Sequence, residues 1–145
     1  MKMKTAFLAL CASAAAFAGG LDDLHAPWQQ ILSKIVKEDR VDYAAAKADL
    51  PAVNGYLKSL SIIDSNTLKA APAAQQNAVW LNAFNAAVVE LIASNPGYPS
   101  IADIPHWRDS ARFEVAGRPI SLREIQDTVV HEVGHYFGLE DEDLP

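Results

Sequence analysis

Apolar positions recur every three or four residues along most of the chain, as they do in amphipathic helices. A first helix is predicted to begin at Ala26-Pro27, because proline is tolerated in the first turn of a helix. After a polar break over residues 39–43, a second helical stretch is predicted over about residues 50–60. The apolar positions of these two stretches are Trp28, Ile31, Leu32, Ile35, Val36, Leu50, Val53, Leu57 and Leu60.

The most apolar stretch of the chain, residues 73–94, is predicted to be a central, buried helix. Its apolar side chains cover nearly the whole circumference instead of one stripe, and an Asn-Pro-Gly sequence ends it. Asn82 and Asn85 share one face of this helix, and two interpretations of them stay open. They can form hydrogen bonds with the loop at residues 41–43 or the turn near Ser100, or they can line a polar pocket for a ligand.

The last third of the chain contains a weak strand signal followed by a strong helix signal. Residues 113–120 alternate around a central Ala-Gly pair, which predicts a small β-hairpin. Ser121 and Glu124 form the S-x-x-E pattern of a capping box, so a last helix is predicted from Leu122 to about Phe137. The fold is therefore predicted to be mainly α, a helical domain with one small β-hairpin, with α+β as the alternative.

The predicted last helix carries the pattern HExxHxxGxxD. His131 and His135 lie four residues apart, so both imidazoles can reach one metal ion. Glu132 can act as a general base beside that metal, and Gly138 permits a sharp turn that would bring Asp141 back as a third ligand. Two helical histidines, one carboxylate and an open position are typical of catalytic zinc. The alternative is a pair of surface histidines on an amphipathic helix.

This run resembles the metzincin-like metallopeptidases, and especially the small bacterial zincin-like proteins that end soon after such a motif. In those proteins, too, a segment like Thr128-Val129-Val130 leads into the HExxH pattern. The resemblance implies that His131, His135 and Asp141 bind zinc (Zn2+) and that Glu132 activates the bound water. The Met-containing turn of the metzincins has no counterpart here, and no upstream sheet is evident. The resemblance therefore concerns the chemistry of a secreted hydrolase and not its fold.

The longer part of the chain, from residue 28 to about 125, resembles the N-terminal half of the domain-of-unknown-function family 547. The matching segments are Val41-Asp42-Tyr43, residues 78–86, Ser100-Ile101 and residues 115–122. The resemblance to that family does not imply any established biochemical activity. A second hypothesis is therefore a non-catalytic exported helical domain with a role in binding or envelope structure, and a third is structural zinc without catalysis. The zincin-like pattern replaces the family's usual second half, which suggests a junction of two families.

The N-terminus is predicted to be a signal peptide over residues 1–18. A short basic region and an apolar run precede Ala16-Phe17-Ala18, which has the form of a cleavage site. We expect export to a bacterial periplasm or beyond, with no stable membrane anchor after cleavage. The alternative is an uncleaved anchor, although the apolar run is short for a membrane span. The rest of the chain is predicted to divide into two parts. These are a helical domain over residues 19–122 and a metal-binding helix and tail over residues 123–145.

Charge and the remaining reactive side chains narrow the range of partners. The formal net charge is −6, and loss of Lys2 and Lys4 with the leader takes it to −8, which disfavours nucleic acid. The predicted partner is a peptide or protein substrate. The sequence makes no prediction about the oligomeric state. Cys11, the single cysteine, lies in the leader, so the mature chain would have no disulfide. His25 is expected to be exposed and His106 to lie in a packed loop; either is a candidate distant third ligand.

Overall fold

The computed structural model describes residues 20–109 and 112–136. Over these residues the fold is mainly α, as predicted. The helices are α1 (Ala26–Ile35), α2 (Tyr43–Ala48), α3 (Leu50–Ser61), α4 (Ser65–Ala70), α5 (Ala73–Ser94) and α6 (Leu122–Tyr136). The strands are β1 (Val36–Lys37), β2 (Arg40–Val41), β3 (Arg112–Val115) and β4 (Arg118–Ser121), and 3₁₀ helices cover Gly20–His25 and Ile101–Asp103.

Helix α5 is the central element, and α2, α3 and α6 all pack against it. Its bounds agree with the prediction, and its apolar circumference has a simple cause. Neighbours on several sides bury small residues such as Ala83 and Ala86, while larger residues such as Trp80 and Phe84 are only partly buried. Asn82 and Asn85 are both buried, and the two interpretations of their role stay predictions.

Helices α1 and α3 are joined by two stacked aromatic rings. Trp28 of α1 is 1% exposed and Tyr56 of α3 is 2% exposed. Their ring centroids lie 5.4 Å apart with an angle of 10° between the ring planes. Ile31 and Ile35 follow Trp28 on the buried side of α1, which confirms most of the predicted stripe. Large rings buried in this way contribute much of the apolar area that a small domain removes from water.

Residues 39–43 are not the simple polar break that was predicted. The chain forms an antiparallel hairpin between α1 and α2, in which Val36 pairs with Val41 and Lys37 pairs with Arg40. Val36 therefore belongs to a strand and not to the stripe of α1. Strands of two residues are too short to produce an alternating pattern, so the sequence contained no usable signal for them.

Aspartates cap the two short helices that follow this hairpin and α3. The Oδ1 atom of Asp42 accepts a hydrogen bond from the backbone N–H of Ala45 at 3.0 Å, at the start of α2. At the start of α4 the cap is Asp64, whose Oδ2 atom accepts from the backbone N–H of Thr67 at 2.8 Å. Ser65 and Asn66 are also residue types that can cap a helix start, but the cap is the residue before them. Aspartate and serine both cap helices well, so composition could not separate them.

The second hairpin, β3–β4, confirms the predicted one and also completes the end of α3. Its turn residues Ala116 and Gly117 have φ angles of 52° and 71°, a left-handed conformation that glycine adopts without strain. Their backbone N–H groups donate to the carbonyl oxygens of Leu60 and Ser61, at 2.9 and 2.8 Å. The hairpin turn thus adds donors to carbonyls in the last turn of α3, where a helix has few donors of its own.

Helix α6 shares its core with the rest of the described chain. Val115 of the hairpin and Ile125 and Val129 of α6 belong to the same buried cluster as Trp28 and Leu60. The division into domains at residue 122 stays a prediction. No helix in the described part of the chain is both long and apolar enough to cross a bilayer.

Candidate metal centre

The start of α6 is held by the capping box that the sequence predicted. The backbone N–H of Ser121 donates to the Oε2 atom of Glu124 at 2.7 Å, and the backbone N–H of Glu124 donates to the Oγ atom of Ser121 at 3.2 Å. Ser121 is the last residue of β4, so strand and helix follow one another without a loop. This reciprocal pair satisfies two N–H groups that a helix start leaves free, and it fixes the direction of α6.

The loop before β3 makes a second attachment to the first turns of α6. The backbone N–H of Arg123 donates to the carbonyl oxygen of Arg108 at 3.0 Å. The Arg108 guanidinium lies over the Trp107 ring, 5.6 Å from its centroid, and donates to the Gln126 side chain. Hydrogen bonds from Arg123 lower the pKa of Asp109. This last pair is exposed and adds little stability, so the attachment depends on the Arg108 contacts.

The two faces of α6 differ sharply in burial. Leu122, Ile125 and Val129 are buried, which confirms the first three positions of the predicted stripe. His131 is exposed, as expected from a helix that turns by about 100° per residue and so places residue 131 opposite residue 122. Position 135 follows one turn later, on the same side of the backbone helix as position 131.

The predicted site residues are only partly described by the structure. His131, Glu132 and His135 all belong to α6, but the side chains of Glu132 and His135 lie outside the described set. Asp141 and Phe137 lie outside the described residues altogether. Within the described part of the chain there is no group of three or more potential metal ligands. The identities of these ligands therefore stay predictions.

The donors at this face nevertheless fit zinc. Zinc prefers imidazole nitrogens and carboxylate oxygens in a four-coordinate shell. One imidazole, that of His131, is on the exposed side of a helix whose other side is anchored in the core. A second histidine is one turn away along the same helix. An exposed face also leaves room for a coordinated water or a substrate, which a catalytic site requires.

His25 is buried, so the expectation that it is exposed near the mature N-terminus was wrong. The 3₁₀ helix Gly20–His25 turns the chain onto the core, and His25 is only 6% exposed. Its Nδ1 atom and the Tyr56 hydroxyl share a hydrogen bond of 2.7 Å. Its Nε2 atom is buried and has no hydrogen-bond partner in the described part of the chain. Because this interaction spans 31 residues, no local pattern in the sequence announces it.

His25 is expected to make the fold sensitive to mild acid. Burial lowers its pKa below the ordinary value of 6.5, and the negative charge of Asp22 offsets this only in part. The unfolded chain therefore binds a proton at a higher pH than the folded chain does. Above about pH 6.5, protonation of His25 should cause no change in the free energy of unfolding. As the pH falls from there toward the lowered pKa, the free energy of unfolding should decrease.

Urea unfolding between pH 7.5 and about 5, with a chelator present, would measure this effect. His25→Gln should flatten the pH dependence in that window, whereas His106→Gln, which changes an exposed loop histidine, should not. Hydrogen bonds lower the pKa values of Asp42, Asp64 and Asp109, so these carboxylates stay charged throughout the window. An unchanged pH dependence in His25→Gln would contradict the assignment.

Comparison with known proteins gives one match, to the C-terminal part of the chain. Residues 112–145 match the family described as zincin-like metallopeptidase, whose members bind zinc. The match includes β3, β4, α6 and the complete run from His131 to Asp141. Searches of curated proteins and of solved structures gave no significant match. The likeness of residues 28–125 to family 547 stays a prediction, and the C-terminal part of the chain is similar to zincin-like metallopeptidases.

Proposed function

We propose that this chain is an exported zinc metallopeptidase that cleaves peptide or protein substrates. The observation that carries the proposal is the exposed position of His131 on a core-anchored helix. His135 follows one turn later on that helix, within the segment that is similar to zincin-like metallopeptidases. Export is proposed from the leader predicted over residues 1–18, which lies outside the described residues.

The residues of the motif have separate roles in this proposal. His131, His135 and Asp141 would hold the zinc ion. When bound, zinc would lower the pKa of a coordinated water and polarise the carbonyl of the scissile peptide bond. Glu132 would accept the proton of the attacking water and then donate it to the leaving amine, which is the usual task of a general base and acid.

The architecture of α6 supports this assignment of roles. Catalytic groups must be held within a fraction of an ångström of their working positions, which requires a rigid support. The capping box fixes the first turn of α6, and three buried apolar side chains, Leu122, Ile125 and Val129, attach its inner face to the core. The imidazole of His131 is consequently presented from a helix with little freedom to rotate.

Metal content and metal removal test the proposal. The purified chain should contain stoichiometric zinc and should hydrolyse members of a mixed peptide library. Treatment with 1,10-phenanthroline should abolish hydrolysis, and added zinc should restore it, because the motif has no other source of electrophilic assistance. Zinc retained without any hydrolysis would contradict the peptidase proposal and leave a structural metal. Absence of both zinc and hydrolysis would reject the metal site as well.

A further inference from the structure

A cleft of about 540 Å³ lies between α2 and the chain that follows α5. None of the described residues of α6 lines it. Ile92, Pro96 and Pro99 make one wall apolar, and Tyr43 and Lys47 of α2 contribute polar groups. A concave site of this size with an apolar wall and a few polar groups is the usual form of a small-molecule site.

Two of the polar groups that line the cleft have no partner in the described part of the fold. Among the described residues, the Lys47 ammonium has no ion-pair partner and the Tyr43 hydroxyl has no hydrogen-bond partner. Asp42, the acidic group of the lining, differs because its Oδ2 atom accepts from the Lys37 ammonium at 2.8 Å. Its other oxygen accepts from the backbone N–H of Ala45, at the start of α2. The cleft therefore keeps one uncompensated positive charge, in a chain of net charge −6.

The aromatic groups of the cleft suit a ligand that is apolar at one end. Tyr43 is half-buried against the cluster that contains Ile92, and burial raises the pKa of its hydroxyl. The hydroxyl is thus protonated at neutral pH and available as a hydrogen-bond donor. Tyr98, another lining residue, is 42% exposed, which is high for a large apolar side chain in this protein. Tyrosines placed in this way bind ligands through both the ring and the hydroxyl.

We propose that this cleft binds the carboxylate of a small apolar acid, either free or as the C-terminal residue of a peptide. Lys47 and the Tyr43 hydroxyl would contact the carboxylate, and Ile92, Pro96 and Pro99 would contact the apolar side chain. A cationic ligand does not fit, because Lys47 repels it and Asp42 is already paired. A polyanion such as a nucleotide does not fit a single ammonium group. The inference does not rest on the zinc site.

Binding of two matched probes tests the inference. N-acetyl-phenylalanine carries the carboxylate, and N-acetyl-phenylalanine amide has the same shape without the charge. Calorimetry with a chelator present, so that no carboxylate binds through zinc, should show about tenfold or tighter binding of the acid, the equivalent of one charge-assisted hydrogen bond. Lys47→Gln should remove the difference between acid and amide, and Lys58→Gln, an exposed lysine of α3, should keep it.

A third probe and two more variants extend the experiment. They distinguish a free acid from a peptide terminus, and they separate this cleft from the proposed peptidase site. A tripeptide ending in phenylalanine should bind as well as the N-acetylated amino acid if the cleft takes peptide termini, and more weakly if it takes free acids. Tyr43→Phe should weaken binding of the acid more than that of the amide. Glu132→Gln should bind both probes as the wild type does. Equal affinities for acid and amide, or an unchanged preference in Lys47→Gln of normal melting temperature, would overturn the inference.

Discussion

Replacing Glu132 with glutamine is expected to lower kcat/KM for peptide hydrolysis by about 10²- to 10⁴-fold, the usual contribution of a general acid–base group. Zinc should stay bound, because Glu132 is not one of the proposed ligands. The glutamine amide has nearly the same shape as the carboxylate but cannot accept the proton of the attacking water. Zinc content and the initial rate on the best peptide of the library, measured on the same preparations, would check both parts.

Two variants of the same helix provide the comparison. Asp127→Asn removes a carboxylate from an exposed position of α6 that the mechanism does not use, so zinc content and rate should be unchanged. His131→Ala removes a proposed ligand, so zinc and hydrolysis should be lost together. A Glu132→Gln protein that hydrolyses peptides at the wild-type rate would remove Glu132 from the mechanism. Zinc retained in full by His131→Ala would locate the metal elsewhere.

Trp28→Ala is expected to lower the free energy of unfolding by about 3–5 kcal/mol, the usual cost of truncating a large buried ring. Trp28 is 1% exposed, and its removal would leave the Tyr56 ring without its stacked neighbour. Domains of this size have a total stability of roughly 5–15 kcal/mol, so the variant should be close to unfolding at ambient temperature. Urea unfolding followed by circular dichroism would measure the loss.

Trp28→Phe separates the contribution of the ring from that of its polar atom. The Nε1 atom of Trp28 is buried and has no hydrogen-bond partner in the described part of the chain, an arrangement that costs about 1–3 kcal/mol. Phenylalanine keeps a ring against Tyr56 and removes that atom, so its loss should be much smaller than that of alanine. Trp80→Ala, at a partly buried position, should also cost less. Equal losses for the three variants would contradict this account of the core.

Much of the helical organisation was predictable because it depends on local patterns. The bounds of α5, the start of α1 and the capping box of α6 all agree with the structure. Each of these features is encoded within one or two turns, by apolar spacing, a proline or a serine and glutamate three residues apart. The β1–β2 hairpin was missed for the opposite reason, because two residues per strand are too few to form a pattern.

For the candidate site, the sequence predicted the types of the functional side chains but not their three-dimensional surroundings. The spacing of His131 and His135 predicts that the two residues share one side of a helix. His131 is exposed, as expected for the side opposite the buried stripe. The cleft near Tyr43 was not predicted, because its walls come from segments about 50 residues apart in the chain. Lys47 carries no pattern that distinguishes it from any other lysine. What distinguishes Lys47 is a contact made elsewhere in the cleft. Asp42 pairs with Lys37, so the charge of Lys47 is not neutralised by the carboxylate of the lining.

The amino-acid order alone was enough to specify a mainly helical chain, its long central helix and a pair of histidines one turn apart, since all three follow from contacts between near neighbours. Packing between distant segments determined the rest. It buried His25 against Tyr56, although a histidine so close to the predicted leader was expected to be exposed. It also brought the β3–β4 turn onto the end of α3, where two N–H groups complete that helix. Burial and long-range hydrogen bonds depend on which surfaces meet, and no short stretch of sequence contains that information.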